Sequence, residues 1–152
     1  MKSTKAQSAL KSYGQVGVQA SGAYATPHRL ITMLLEGALE KIAQAKGFME
    51  RGEIPEKGSY ISWAISIIEG LRISLDAEKG ENIAANLEAL YDFMERRLVE
   101  ANMQNSTEIL DEVSGLLHTI KEAWTSIPEN IKNSSSESGK DGEEFPNITS
   151  SV

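Results

Sequence analysis

The stretch that decides the fold is Thr26-Pro-His-Arg-Leu-Ile-Thr-Met-Leu-Leu-Glu-Gly-Ala-Leu-Glu-Lys-Ile-Ala-Gln-Ala-Lys-Gly-Phe-Met49. Thr26 is predicted to be the N-cap of a helix, and Pro27 falls at the first helical position, where its missing N–H and fixed φ are tolerated. At about 100° per residue, the apolar residues of this stretch cover roughly 240° of the helix circumference. A helix that lies on one neighbour needs an apolar stripe of only a little over about 100°. We therefore expect this helix to pack against two or three neighbours in a bundle.

A second helix is predicted over residues 56–77. Gly52 is expected to end the first helix, and Ile54-Pro55 to form the connection, because the residue before a proline is disfavoured in the helical region. Lys79-Gly80 is expected to close the second helix. This helix carries two adjacent apolar stripes, which need two packing partners. One stripe is Ile61, Ala64, Ile65, Ile68 and Leu75, and the other is Tyr60, Trp63, Ile67 and Leu71.

Two further helices complete the pattern. The third is predicted to begin at Glu81 or Asn82 and to end near Asn102, with apolar residues at steps of three and four, the seam of an antiparallel bundle. Tyr91 lies at the margin of this seam, and Phe93 lies about 105° from its centre and is surplus to it. The fourth helix is predicted to start at Asn105, with a capping box completed by Glu108.

Four helices of roughly 20 to 25 residues with short connections predict an all-α fold, an antiparallel up-and-down four-helix bundle over residues 26–127. Residues 1–25 are mostly small and polar, which predicts a mobile N-terminal arm. Leu10, Tyr13 and Val16 recur at helical spacing and predict a short helical turn, and Tyr24 is a further apolar residue of the arm. Residues 128–152 are polar and acidic and predict a disordered tail.

Composition excludes several classes of function. The chain has no cysteine, which excludes disulfides and thiolate chemistry and suits a reducing compartment such as the cytoplasm. The net charge is −7, from 22 acidic and 15 basic residues, and no Lys/Arg cluster points to nucleic acid. Neither a secretory signal nor a membrane span is predicted.

Residues typical of catalysis are missing as well. A di-iron or di-manganese bundle needs Glu-x-x-His on two helices, and the residues three before His28 and His118 are Ala25 and Gly115. We interpret both histidines as solvated. No catalytic triad order, phosphate-binding loop or dinucleotide fingerprint occurs. The sequence therefore predicts neither an enzyme nor a metal or other cofactor.

The surplus apolar surface leaves two interpretations open. The stripe at Tyr60, Trp63, Ile67 and Leu71, with Phe93, can form an exposed groove for a partner. Alternatively, a bundle helix uses both stripes internally against two neighbours.

Several segments, in order and spacing, resemble the flagellar export chaperone family FliS over about residues 10–124. They are Thr26-Pro-His-Arg-Leu-Ile-Thr-Met-Leu-Leu-Glu-Gly-Ala-Leu39, Ala64-Ile-Ser-Ile-Ile-Glu-Gly-Leu71, Gly80-Glu-Asn-Ile-Ala-Ala-Asn-Leu-Glu-Ala-Leu-Tyr-Asp-Phe-Met94, Arg97-Leu-Val-Glu-Ala-Asn102, and Leu110-Asp-Glu-Val113 through Ala123-Trp124.

The resemblance implies a cytoplasmic chaperone that binds the unstructured C-terminal segment of flagellin, its client, and holds flagellin unpolymerised for the type III export gate. It implies coupled folding and binding on apolar grooves. It also implies that the arm, with Tyr13 matching the family's tyrosine, covers the groove in the free chaperone. The expected client-binding residues are Tyr13, Val16, Tyr24, Tyr60, Trp63, Ile67, Leu71, Tyr91 and Phe93.

The chain departs from the family pattern at Leu35-Glu36, where many members have Tyr-Asp, and at extra arm residues around Ser21-Gly22-Ala23-Tyr24. Tyr24 is expected to supply an aromatic ring in place of the tyrosine that position 35 lacks. Further expected partners are an export-gate component and an anti-sigma factor, and the expected state is a monomer or weak homodimer. The alternative functions are a helical adaptor or homodimeric regulatory bundle without flagellin binding, and a metal-dependent bundle enzyme.

Overall fold

The computed structural model describes residues 7, 26–75 and 81–127. The two long ranges contain four α-helices and the turns that connect them within each range. They are α1 (Pro27–Glu50), α2 (Ile54–Ile73), α3 (Glu81–Gln104) and α4 (Thr107–Thr125). These two ranges contain no strand. The predicted all-α four-helix bundle is confirmed, whereas the predicted arm, apart from Gln7, and the predicted tail lie outside the described residues.

The helices form a ring in chain order. α1 packs on α2 and α4, and α3 packs on the same two helices. Contacts between α1 and α4 show an antiparallel arrangement: Lys46, late in α1, pairs with Asp111, early in α4, at 3.0 Å, and Glu36 pairs with Lys121 at 3.4 Å. The last helix therefore closes the bundle against the first. Over the described ranges, no helix is long and apolar enough to cross a membrane.

The ends of α1 confirm the prediction. Thr26 is the N-cap, and its Oγ1 accepts a hydrogen bond from the N–H of Arg29 at 3.0 Å. After Glu50, the N–H of Gly52 donates to the carbonyl of Met49 at 3.2 Å. Gly52 has a φ of +76°, in the left-handed region that glycine adopts without steric cost. The turn back into α2 depends on this residue.

Both ends of α2 differ from the prediction. Ile54 and Pro55 form its first turn instead of the predicted connection, because the N–H that proline lacks has no intrahelical partner there in any case. The predicted end at residue 77 is wrong because α2 ends at Ile73. The hydroxyl of Ser74 donates to the carbonyl of Leu71 at 2.8 Å, a side-chain bond that competes with continued helix. The predicted Lys79-Gly80 stop lies outside the described residues.

The predicted start of α4 is wrong by one residue. Asn105 has a φ of 52° and ends α3 in the left-handed conformation, which asparagine tolerates better than most residues. Ser106 is the N-cap of α4, and its Oγ accepts a hydrogen bond from the N–H of Ile109 at 3.2 Å. Glu108 therefore stands one position too early to complete a capping box.

The core lies along the axis of the ring and takes residues from all four helices. It includes Leu34, Leu35 and Ile42 of α1, Ile61, Ile67, Ile68 and Leu71 of α2, Tyr91, Met94 and Leu98 of α3, and Leu110, Val113 and Leu117 of α4. The broad apolar face predicted for α1 packs against α2 on one side and α4 on the other.

His28 is half-buried and packed against α4, which corrects the sequence-based interpretation of a solvated histidine. Its ring stacks on Trp124 with centroids 5.2 Å apart and planes at 15°. The indole Nε1 of Trp124 donates to the carbonyl of His28 at 3.0 Å, and Nε2 of His28 lies 3.3 Å from the carbonyl of Trp124. The start of α1 is therefore fastened to the end of α4. His118 is exposed, as predicted.

Candidate client-binding surface

Three aromatic rings line the edge between α1 and α2. The turn at Gly52 brings α2 back antiparallel to α1, so that Phe48 and Tyr60 lie at the same level with ring centroids 5.1 Å apart. Trp63 follows three residues later on the same side of α2, with its centroid 5.6 Å from that of Tyr60. We call Phe48, Tyr60 and Trp63 the aromatic ladder.

The two ends of the aromatic ladder each carry a cation. The Nζ of Lys41 lies 3.9 Å from the centroid of Trp63, and the guanidinium carbon of Arg51 lies 5.0 Å from the centroid of Phe48. Both distances are within the range of cation–π attraction. The ladder therefore offers apolar rings together with hydrogen-bond donors, a combination suited to an amphipathic peptide.

The apolar stripe predicted on α2 divides into an accessible and a buried part. Trp63 is 45% exposed, whereas Ile67 is 0% and Leu71 1% exposed and both belong to the core. Tyr60 is half-buried and packs against the core. Periodicity could not separate these residues, because Tyr60 and Ile67 are seven positions apart and point within about 20° of each other. In this conformation Ile67 and Leu71 offer no accessible surface, and their role in client binding remains a prediction.

On α3 the two predicted residues also differ in exposure. Phe93 is 38% exposed, in agreement with its position outside the seam, whereas Tyr91 is 3% exposed and lies in the core. Burial raises the pKa of the Tyr91 hydroxyl to about 12 from its ordinary value of 10.0, because the phenolate is poorly solvated there. Among the described residues no ring contact joins Phe93 to the aromatic ladder. Phe93 is thus a second, separate exposed aromatic.

The remaining predicted residues, Tyr13, Val16 and Tyr24, lie outside the described residues. Sequence reasoning missed two members of the site, Phe48 and Lys41. Periodicity assigns Phe48 only to the apolar face of the first helix. Phe48 lies four residues before Gly52 and Tyr60 lies eight residues after it, and this placing on either side of the turn is the sequence signal that could have paired them.

Apart from the aromatic residues, a polar cluster joins α2 to α3 around Arg72. Its guanidinium lies 3.0 Å from Glu69, 3.5 Å from Glu88, 3.6 Å from Glu95 and 3.8 Å from Asp92. Partial burial acts to lower the pKa of Arg72, but the surrounding carboxylates outweigh it and raise that pKa. Arg72 therefore stays charged and serves to tie the two helices together. In the part of the chain that the structure describes, no group of three His, Cys, Asp or Glu side chains could hold a metal ion.

Comparison with known proteins identifies the family. The family described as flagellar protein FliS matches residues 9–131. The chain belongs to the FliS family. This confirms the resemblance to a family of chaperones that was found in the sequence.

The similar relatives carry the same family name. A Pseudomonas aeruginosa protein named flagellar secretion chaperone FliSB is 53% identical over 80% of this chain and 97% of its own length. The flagellar secretion chaperone FliS of Salmonella typhimurium is 47% identical over 79% of this chain and 90% of its own length. That of Vibrio cholerae is 40% identical over 82% of this chain and 91% of its own. The family match over residues 9–131 includes all four helices of the bundle.

Proposed function

We propose that this FliS-family protein is a flagellar export chaperone that binds the disordered C-terminal segment of flagellin. In this role it prevents premature polymerisation in the cytoplasm and supports delivery of flagellin to the flagellar type III export apparatus. The observation that carries the proposal is membership in FliS across residues 9–131, together with relatives that are named flagellar secretion chaperones.

The exposed aromatic residues support binding of an unfolded client. Trp63 and Phe93 are 45% and 38% exposed, and they lie on different helices without a ring contact between them. An extended segment that folds as it binds can reach both places on a small bundle, whereas a compact partner covers one continuous patch. We therefore assign the aromatic ladder and Phe93 to the surface that flagellin contacts.

The arm and the buried candidates belong to the same proposal. Tyr13, Val16 and Tyr24 are proposed to cover the groove in the free chaperone, and a client that takes their place must outcompete the arm's own docking. Ile67, Leu71 and Tyr91 can touch a client only if neighbouring groups move, because each is at most 3% exposed. An export-gate component and an anti-sigma factor remain proposed further partners.

The proposal is tested with Trp63→Glu in the full chain. Because Trp63 is 45% exposed, the new charge is not buried, so we expect the melting temperature to change little. We expect loss of binding, because the glutamate removes the ring and places a charge where apolar side chains of flagellin dock. Isothermal titration calorimetry with the C-terminal flagellin segment measures the dissociation constant, and size exclusion with light scattering measures whether the complex is one-to-one.

Met103→Glu is the matched control. Met103 is 78% exposed on α3, a helix that contributes no ring to the aromatic ladder, and the same charge there should leave flagellin binding unchanged. Failure of the wild-type protein to co-elute with flagellin at micromolar concentration would contradict the proposal. If the free protein also forms a stable dimer by light scattering, the homodimeric regulatory bundle becomes the better interpretation.

A further inference from the structure

The side chain of Lys41 reaches from α1 to α2 at the Trp63 end of the aromatic ladder. Its side chain is only 11% exposed although it carries a charge, so its aliphatic stem is packed while its ammonium reaches the rings. The ammonium lies 3.9 Å from the centroid of Trp63 and 6.0 Å from that of Tyr60. At 3.9 Å the cation sits directly against one ring face.

The ion pair of Lys41 is too weak to account for this position. Its carboxylate partner, Glu40, is the preceding residue on α1, lies 3.5 Å away and is 63% exposed. Because the Glu40 carboxylate is largely exposed, water solvates it and weakens its attraction for the ammonium, so a pair of this kind contributes little. The indole face of Trp63 is therefore the main partner of the Lys41 ammonium.

We propose that Lys41 is a positioning residue for client binding. Its ammonium holds the indole of Trp63 from one face, while the tilted ring of Tyr60, at 42°, borders it from another direction. Trp63 is thereby restrained in one orientation while 45% of it stays exposed to receive a partner. A ring that is already ordered loses less side-chain entropy when a disordered segment docks on it. This inference rests on the proposed function.

The test compares Lys41→Met with Lys41→Arg. Methionine keeps an unbranched stem of similar length but removes the charge, and arginine restores a cation that can stack on the indole. We expect Lys41→Met to raise the dissociation constant for the C-terminal flagellin segment about two- to fivefold and Lys41→Arg to restore most of the affinity. Lys46→Met is the matched control, because Lys46 lies on the same helix but pairs with Asp111 on the α4 side.

A second readout uses the free protein and does not depend on flagellin. In a Trp124→Phe background Trp63 is the sole tryptophan, since the chain has two. We expect Lys41→Met to increase the fluorescence depolarisation of Trp63 and its quenching by acrylamide, while Lys46→Met leaves both unchanged.

The two proposals fail in different ways. If the wild-type protein binds flagellin and Lys41→Met binds equally well, the positioning role is overturned and the proposed function stands. If the wild-type protein does not bind flagellin, the proposed function fails, and with it the client-binding role of Lys41. If Trp63 shows the same mobility and quenching in both Lys41 variants as in the wild type, the restraint itself is disproved.

Discussion

At the scale of single residues, burial separates aromatic side chains that lie close together in the sequence. Tyr91 and Phe93 are two positions apart on α3, yet Tyr91 is 3% and Phe93 38% exposed. Phe93 is available to a partner, whereas Tyr91 supports the core that holds α3 in place. The difference has a consequence at alkaline pH, because only a buried phenol resists ionisation in the folded state.

We predict that Tyr91 lowers stability above pH 10. The pKa of its hydroxyl is raised to about 12 in the folded protein. The stability that Tyr91 contributes is therefore complete below pH 10. It is lost as the pH rises from 10 towards 12, because in this range the unfolded state releases the proton and the folded state retains it. A difference of about 2 pH units corresponds to about 2 to 3 kcal/mol. Urea unfolding between pH 9 and 12 measures the free energy. In Tyr91→Phe this part of the loss should disappear, and an identical pH profile in the variant would contradict the assignment.

At the scale of helices and turns, the connection between α3 and α4 is built from two adjacent residues with different tasks. Asn105 ends one helix in the left-handed region, and Ser106 begins the next with a side-chain hydrogen bond. The N–H of Ser106 also donates to the carbonyl of Ala101 at 3.1 Å, which satisfies a carbonyl at the end of α3. The turn is therefore short because both helix ends are capped locally.

We predict that Ser106→Ala destabilises the bundle by about 1 kcal/mol, because the N–H of Ile109 loses its acceptor. Ser106→Asp should retain the stability, since its carboxylate can accept the same hydrogen bond and is favoured at a helix N-terminus. Ser62→Ala, at an exposed position within α2, serves as the control and should change stability by only a few tenths of a kcal/mol. Thermal and urea unfolding measure all three. Equal effects of the two alanine variants would show that Ser106 does not act as a cap.

At the scale of the whole molecule, contacts between the first and last helices close the ring. His28 and Trp124 are 96 residues apart in the chain, and they are joined by a ring stack and a hydrogen bond from the indole to a backbone carbonyl. Lys121 with Glu36 and Lys46 with Asp111 continue this line of contacts along α1 and α4. The first and last helices are therefore joined along their length, from the end where residues 26 and 127 lie to the pair of Lys46 with Asp111.

We predict that Trp124→Phe lowers the free energy of unfolding by about 1 kcal/mol, because the carbonyl of His28 loses its indole donor. The same substitution at Trp63, which is 45% exposed, should change it by less than about 0.5 kcal/mol. Urea unfolding followed by circular dichroism compares the two variants. A larger loss at position 63 than at position 124 would overturn this division between a structural and a surface tryptophan.

Much of the fold could be predicted because its signals are local. Thr26 and Gly52 bound α1 as predicted, since capping and the left-handed conformation depend on neighbouring residues. The errors at Pro55 and Asn105 arose where one residue type suits two neighbouring positions of a helix end. The end of α2 was placed too late because the apolar spacing continues to Leu75, beyond the hydrogen bond of Ser74 that competes with the helix. The site was harder to predict, because Phe48 and Lys41 acquire their roles only through a neighbouring helix.

The sequence by itself determined four helices with apolar faces, the antiparallel order that short connections impose, and membership in the FliS family. Only the tertiary structure decided that Trp63 is exposed while Ile67 is buried, that Lys41 lies against an indole, and that His28 stacks on Trp124. The physical reason is that helical periodicity specifies the direction of each side chain around its own axis. The contacts it makes depend on how neighbouring helices are rotated and placed along each other, which is set by packing of the entire core.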